Sequence, residues 1–578
     1  MSVLEILKRA HAIAQADPAG FPARVSINLI TNFTDEIFRK LLTGICLSQS
    51  IFPEIYAVPY QQYVLELKDP ASGLARHAAD ITFIFFDVNP YVSSTFRLSA
   101  EHVEEVFDDL ERWSATQDGL VVVTTVPTPY RNAYGNLFDA DPLYERICTL
   151  NKRLAAQAAN SFRLHVCDVN RFLHAFGERR ARDLRHLYAS DIPFTAEFSL
   201  ELCQEWFAYI QLLHGKVKKC IVLDLDQTLW GGILGEEGPL GIALGPGYPG
   251  KAFQEFQRAL LSYHERGILL AINSRNNLAD VQAVFEQNPH MLLQPSHFAA
   301  IAVNWKDKAE NLVSIATQLN IGIESLVFFD DDPMNRALVR HALPDVLVPE
   351  LSVPPEEYVS ILYGTQQLNQ LRLTEEDLAR ARTAAAERQR VQVQSVGRSV
   401  EEYIAALDLV VTIRRNPTDR IPRLAQLTQK TNQFNLTTLR LTEAHIEKSM
   451  SSYDLVFSGD VVDRYGAYGT TLLALFDKQS NGVAVLRIFL MSCRVMGRGV
   501  EAVFLDAIIQ ILKQDGISEI HAEFIPTAKN EPSRNFLPGL GFQFAGEGNY
   551  GSIAYHLAIA KYKADPIVVR STIQVIYE

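Results

Sequence analysis

Lys219-Cys220-Ile221-Val222-Leu223-Asp224-Leu225-Asp226-Gln227-Thr228-Leu229-Trp230 is the stretch whose reading decides the fold. An apolar run of this kind reads as a strand buried on both faces of a parallel sheet, delivering its polar residues at the tip. Residues i and i+2 of a strand share a face, and where the chain turns out of the strand Asp224 and Asp226 can converge on one ligand. Two carboxylates so placed suit a hard divalent cation and a phosphoryl group. The competing explanation is a solvated strand end, because carboxylates also gather at turns.

Three later stretches favour the first explanation. Gly267-Ile268-Leu269-Leu270-Ala271-Ile272-Asn273-Ser274 is a second apolar strand, ending in a hydroxyl residue and followed by Arg275-Asn276-Asn277. Lys308, in Asn304-Trp305-Lys306-Asp307-Lys308, puts an ammonium ahead of a helical segment over 309–319. Leu326-Val327-Phe328-Phe329-Asp330-Asp331-Asp332-Pro333 is a third apolar strand ending in carboxylates. Taken singly, each is more often structural, since a lysine before a helix is usually a solvated charge.

In the order Asp-x-Asp, Ser, Lys, Asp-Asp, these stretches resemble the four motifs of the haloacid dehalogenase (HAD) superfamily, which carries out phosphoryl transfer. The resemblance implies Asp224 as a nucleophile that forms an aspartyl-phosphate and Asp226 as general acid and base. Ser274 and Lys308 become the phosphate holders, and Asp224, Asp226, Asp330 and Asp331 the groups around Mg²⁺. Thr228, Asn273, Arg275 and Asn276 stand beside these motifs as candidate substrate and phosphate contacts. The chemistry is coherent: a carboxylate attacks a phosphoryl group only where cations offset their repulsion, and a covalent intermediate splits one hard step into two easier ones.

Outward from this core, residues 1–200 alternate strand-like and helix-like runs. Strands are expected at Val25-Ser26-Ile27-Asn28-Leu29-Ile30, Ile55-Tyr56-Ala57-Val58, Asp80-Ile81-Thr82-Phe83-Ile84-Phe85-Phe86 and Gly119-Leu120-Val121-Val122-Val123-Thr124-Thr125. Such alternation implies a parallel α/β sheet covered on both faces. The arrangement resembles an SGNH-hydrolase-like domain, but the expected nucleophile and the paired Asp and His are not evident. Asp168 follows a strand, and Asp191-Ile192-Pro193-Phe194 supplies no histidine. The domain therefore reads as a docking module, since fold does not fix function. A connecting helix is expected over 194–213, then the HAD-like domain over 215–365. The interval between Asp226 and Ser274 leaves no room for a large cap, which suits a bulky or protein-borne substrate.

A charged linker helix is expected within 366–400, and a third, α+β domain over 401–578. In the latter, the strand Gly482-Val483-Ala484-Val485-Leu486-Arg487-Ile488-Phe489-Leu490-Met491 feeds Ser492-Cys493-Arg494-Val495-Met496-Gly497-Arg498-Gly499 and a helix. Arg494, Gly497, Arg498 and Gly499 are similar to the pyrophosphate loop of GNAT acyltransferases, where backbone N–H groups meet the phosphates of coenzyme A.

Composition sets bounds. At 578 residues the chain is too long for one core. A formal net charge of −13 argues against a nucleic-acid footprint. The six cysteines are scattered without CxxC or zinc spacing, which favours reduced thiols and a cytoplasmic protein. No stretch approaches the roughly 18 uninterrupted apolar residues of a membrane span.

Across nearly its whole length the chain resembles the FkbH-like family, which combines SGNH-like, HAD and GNAT-like domains. The carriers are Asp69-Pro70-x-Ser72-Gly73-Leu74, residues 222–232, Lys430-Thr431-Asn432-Gln433-Phe434-Asn435 and residues 492–499. Membership implies use of 1,3-bisphosphoglycerate in polyketide or related biosynthesis. The phosphate is removed, and the glyceryl group passes through an enzyme cysteine to the phosphopantetheine thiol of an acyl carrier protein, its arm in the GNAT-like groove. One departure matters: where the family carries that cysteine, just before the motif serine, this chain has Asn273. Either Cys493 serves, with a thiol pKa lowered by Arg494 and a helix N-terminus, or transfer goes directly to the carrier, or the chemistry has changed; a buried, inert Cys493 is the plainer explanation. Two further functions stay open: a phosphatase without acyl transfer, prompted by Asn273, and a non-catalytic scaffold for the carrier.

Overall fold

Each long apolar run of the sequence is a strand in the computed structural model, which describes the chain except residues 1, 12–16, 88–99, 129–133, 135, 136, 138–141, 162, 373, 375–403, 405, 406, 452–454, 480, 549, 550, 564–572 and 578. The chain is α/β, and its described residues form three sheets distributed over two units, residues 1–214 with 441–446 and residues 215–440 with 447–578. The second and third expected domains thus share one unit. Most of the expected linker helix lies outside the described residues; its start is a short 3-10 turn, Gln366–Leu368.

In the first unit, β1 (Ala23–Thr31), β2 (Ile51–Ala57), β3 (Ile81–Phe85), β4 (Leu120–Thr124) and β5 (Leu164–Cys167) form a parallel sheet in the order β2-β1-β3-β4-β5. The order reverses between β1 and β3, the point at which such sheets take ligands. Polar groups there satisfy one another. Asn32 Nδ2 donates to Asp87 O at 2.9 Å, Asp87 N returns a bond to Asn32 Oδ1 at 2.9 Å, and Arg182 grips both Asp87 oxygens at 2.9 Å. Among the described residues neither a serine nor a histidine joins this network. The helix expected as a connector, Ala196–Leu213, is instead part of this unit's core: Trp206 is fully buried and stacks on Phe83 with ring centroids 4.8 Å apart.

In the second unit, β6 (Cys220–Leu223), β7 (Leu269–Ser274), β8 (Phe298–Val303) and β9 (Leu326–Phe329) form a parallel sheet in the order β8-β7-β6-β9. Side chains of β6 alternate between two apolar layers, Ile221 and Leu223 on one face and Cys220 and Val222 on the other. That two-sided burial explains why the run lacks the polar alternation of a half-exposed strand. Between Asp226 and Ser274 the helices are the one-turn Leu234–Glu237 and Gly250–Glu265, so the mouth carries no cap domain.

The rest of the unit is a mixed eight-stranded sheet: β10 (Leu409–Arg415), β11 (Leu455–Asp463), β12 (Gly466–Lys478), β13 (Val483–Met491), β14 (Glu519–Phe524), β15 (Gln543–Glu547), β16 (Ile553–Ala558) and β17 (Ile573–Tyr577), ordered β15-β16-β14-β13-β12-β11-β10-β17. The parallel pair β13 and β14 is in register only from Val483 with Glu519 to Leu486 with Ala522. Beyond that the strands part, and residues 434–436 enter between them: Leu436 N donates to Phe489 O at 3.1 Å, Met491 N to Phe434 O at 3.0 Å, and Ile525 N to Leu436 O at 2.9 Å. An arm entering between β13 and β14 would find those backbone groups already paired. Open strand edges must be satisfied, and here the chain does so itself.

Candidate active site

The carboxyl ends of β6, β7 and β9 bring the sequence's motifs together. Asp224 continues β6, its N–H bonded to Phe329 O of β9 at 2.9 Å. The chain then turns sharply, with Gln227 at φ 54 and Leu229 N on Leu225 O at 2.8 Å. Asp330 and Asp331 leave β9 the same way, and Asp332 then caps the helix Pro333–Ala342 by accepting from Met334 N, with Pro333 in the first turn. Asp307 caps the helix Lys308–Gln318, which fixes Lys308 at its first residue.

Lys308 is 1% exposed, and its ammonium meets three acceptors: Asp224 Oδ1 at 2.9 Å, Asp330 Oδ2 at 3.1 Å and Asn273 O at 2.7 Å. An ammonium has three protons, so each has a partner. Oxygens of Asp224, Asp330 and Asp331 all lie within 4.8 Å of one another. Burial, then repulsion from Asp224, pushes the Asp330 carboxyl up to about 6 despite Lys308, and burial with the negative charges of Asp330 and Asp224 pushes Asp331 up to about 7. Three hard oxygen donors this close to one another, two of them on one ammonium, form a set that fits a divalent cation.

Asp226, expected among the metal ligands, points elsewhere. Its Oδ1 accepts from Trp230 Nε1 at 2.9 Å and Leu234 N at 3.2 Å, and its Oδ2 from Asn276 Nδ2 at 3.0 Å. Its carboxylate is therefore outside the three-carboxylate cluster and is oriented by a buried indole and an amide. Asn276 also donates to Ser274 Oγ at 3.3 Å, so it aligns two side chains, an arrangement that places its amide beside the reacting groups rather than free for phosphate. Asn273 is fully buried, and its amide is spent on Lys308 O at 2.9 Å and on Asn311 at 3.0 Å. It holds Lys308 in place from behind and does not face a substrate. Thr228 is likewise fully buried. Arg275 stands at the rim, about half exposed and 3.9 Å from Asp307.

Cys493 is not brought to this centre. It packs against apolar residues on the β6 face that carries Val222, and Asn320 Nδ2 donates to its carbonyl oxygen. It lines a cavity with Lys219 and Leu269, which lie at the amino ends of β6 and β7. The length of β6 alone puts about 13 Å between that end and Asp224. Burial raises the thiols of Cys46, Cys167, Cys203 and Cys220 far above the usual range. Arg494, Gly497, Arg498 and Gly499 form the turn before the helix Val500–Gln514. Gly497 and Gly499 have φ 76 and 74, which favour glycine, whereas Arg498 is buried over the Tyr468 ring and donates to Arg494 O.

Two groups escaped sequence reasoning. Asn335 Nδ2 donates to Asp330 at 3.3 Å, and Arg336, 1% exposed, donates to Asp330 O at 2.8 Å and to Asp331 O. The available signal was their place in the first turns of a helix announced by Asp332-Pro333.

No protein-family model matches the chain, and no curated protein matches it. Among solved structures, the N-terminal part of the protein BF1531 from Bacteroides fragilis, containing a phosphatase domain complexed with Mg, is 26% identical. It covers 65% of this chain and 99% of its own, with a TM-score of 0.57. A GNAT-family acetyltransferase from Desulfovibrio desulfuricans (14% identity, 26% of this chain and 99% of that one, TM-score 0.22) and the ribosomal-protein-S18-alanine N-acetyltransferase of Escherichia coli (18%, 27% and 97%, 0.21) are also similar. The chain thus resembles a phosphatase-bearing protein over nearly all of that protein's solved length.

Proposed function

We propose that the chain is a Mg²⁺-dependent phosphatase-type enzyme of the HAD kind. The observation that carries this reading is the cluster of Asp224, Asp330 and Asp331, two of which, Asp224 and Asp330, meet one buried ammonium, with Asp226 oriented by Trp230 and Asn276. An Asp224 oxygen attacks phosphorus, and the bond from phosphorus to the leaving oxygen breaks. Asp226 supplies the proton to that oxygen, then takes one from the water that hydrolyses the aspartyl-phosphate. Lys308 and Ser274 hold the phosphoryl oxygens. Asp224, Asp330 and Asp331 would hold Mg²⁺, the metal complexed by the B. fragilis phosphatase domain, which when bound supplies positive charge against the incoming anion.

The finer reading is glyceryl transfer to an acyl carrier protein. The carrier thiol attacks the C1 carbonyl of 1,3-bisphosphoglycerate and expels phosphate, and the Asp224 centre removes the remaining phosphoryl group. The resemblance to the FkbH-like family motivates it, and the uncapped mouth supports a protein-borne substrate: Ile233, Leu278, Trp305 and Met334 sit within a few residues of the site and are all exposed. The separation of Cys493 from Asp224 favours direct transfer without an enzyme thioester, and equally favours a phosphatase that transfers no acyl group. A cytoplasmic location belongs to the same proposal; among the described residues no helix is long and apolar enough to cross a membrane.

The test is phosphate release from p-nitrophenyl phosphate and from 3-phosphoglycerate, with Mg²⁺ and with EDTA. Metal-dependent release, lost in Asp224→Asn, is expected; equal release by that variant refutes the nucleophile. Intact-mass spectrometry of a phosphopantetheinylated carrier incubated with 1,3-bisphosphoglycerate decides the finer reading. A glyceryl mass gain supports transfer, and phosphate release without one leaves the phosphatase.

A further inference from the structure

The turn that follows Asp226 is strained. Gln227 has φ 54, a left-handed conformation that a residue bearing a side chain adopts only at a cost. Its own side chain is exposed, so packing of that side chain does not hold the turn. Thr228 N and Leu229 N close the turn on Leu225 O at 3.1 and 2.8 Å, a closure that does not engage the Gln227 carbonyl. That carbonyl is met by a residue 131 positions along the chain: the Tyr358 hydroxyl donates to Gln227 O at 3.0 Å. A carbonyl has no proton to give, which fixes the direction of the bond.

Tyr358 opens the helix Tyr358–Tyr363 and lies outside the four motifs. It is 4% exposed, and its ring meets Phe253 and Phe256 edge-on, with centroids 6.1 and 5.6 Å away. A phenylalanine would fill that space equally, so packing accounts for the ring and not for the hydroxyl. A buried hydroxyl is costly unless bonded, and this one spends its proton on the strained residue beside Asp226. Burial, then the charge of Asp331, pushes the phenol up to about 12 despite Arg336, so the proton stays in place throughout the neutral range.

Asp226 immediately precedes Gln227. Relaxation of the left-handed turn would swing its carboxylate away from Trp230 Nε1 and Asn276 Nδ2, now at 2.9 and 3.0 Å. Asp224 has different supports, its N–H bonded to Phe329 O and its carboxylate to Lys308. We propose that Tyr358 is a positioning residue for Asp226, its hydroxyl holding the turn at Gln227 so that the carboxylate stays aimed for proton transfer. The proposal rests on the phosphatase reading and adds to it a support that no motif announces.

The test compares Tyr358→Phe with the parental full chain by rapid-quench kinetics on p-nitrophenyl phosphate in Mg²⁺. The first turnover, in which p-nitrophenolate departs without a proton, is expected to stay within about twofold of the parent. Steady-state turnover, which needs Asp226 as base, is expected to fall about tenfold, with the half-saturating Mg²⁺ concentration unchanged. Loss of a merely structural contact would slow both phases together and weaken Mg²⁺. In a Gln227→Gly background, where φ 54 carries no penalty, the same Tyr358→Phe change is expected to cost no more than about twofold. A parallel fall of both phases, or an undiminished cost in the glycine background, overturns the proposal. A parent that turns over beside an equally active Tyr358→Phe overturns this proposal alone; a parent that releases no phosphate overturns the phosphatase reading and this proposal together.

Discussion

Lys308→Met and Asp224→Asn both remove the proposed catalysis, yet the structure predicts unequal consequences for stability. At an effective dielectric of about 20, contacts like those of Lys308 with Asp224 and Asp330, at 2.9 and 3.1 Å, are each worth about 5 to 6 kcal/mol of gross attraction. On the same scale two carboxylates no more than 4.8 Å apart repel by at least about 3.5 kcal/mol. Lys308→Met forfeits both attractions and leaves the carboxylates facing one another; after the recovered desolvation of the ammonium, a net loss of about 3 to 5 kcal/mol is expected. Asp224→Asn forfeits one attraction but relieves repulsion with Asp330 and Asp331 together, so the terms cancel to within about 1 or 2 kcal/mol. The assay is thermal unfolding in EDTA beside phosphate release in Mg²⁺. Lys308→Met should melt several degrees below the parent and lose about 10²- to 10³-fold in rate. Asp224→Asn should melt close to the parent and lose about three orders of magnitude or more. Equal destabilisation of the two variants, or a Lys308→Met protein as stable as the parent, would refute the charge balance argued here.

Other expectations follow from the same geometry. Asp330 and Asp331, raised to about 6 and about 7, bind their protons more tightly in the folded, metal-free protein than in the unfolded chain. Their contribution to stability is therefore full below the unfolded value and lost as pH rises through about 6 to 7. The stabilisation conferred by Mg²⁺ should accordingly be small at pH 5.5 and grow to a plateau near pH 8 by differential scanning fluorimetry; a pH-independent shift would count against these carboxylates as the ligands. Asp226→Asn should give one rapid equivalent of p-nitrophenolate and then stall, since that leaving group departs without a proton while hydrolysis of the aspartyl-phosphate needs the base; steady turnover without a burst contradicts the assignment. Trp230→Phe deletes the 2.9 Å bond that orients Asp226, so steady-state release of phosphate from an alkyl phosphate should fall about tenfold, and parental turnover would count against that orienting role. Phe434→Ala, in a side chain 5% exposed and packed 5.2 Å from the Phe536 ring, should cost about 3 to 5 kcal/mol by chemical denaturation.

The sequence by itself determined the parallel α/β sheet and the order of its functional tips. An apolar run ending in Asp, Ser or Asp-Asp is a local signal: burial on both faces demands the run, and the carboxyl edge is where polar side chains are tolerated. Absence of a cap was legible too, from the length of the interval between Asp226 and Ser274. Tertiary structure alone decided which neighbour each polar group meets. Asp226 turns to Trp230 and Asn276 and away from the cation set; Asn273 spends its amide behind Lys308; the helix Ala196–Leu213 is a core element. Cys493 lies at the far end of β6, and residues 434–436 close the gap between β13 and β14. These are contacts between residues distant along the chain. Strand and helix periodicity records which face a residue occupies, but not which partner the folded chain places against it.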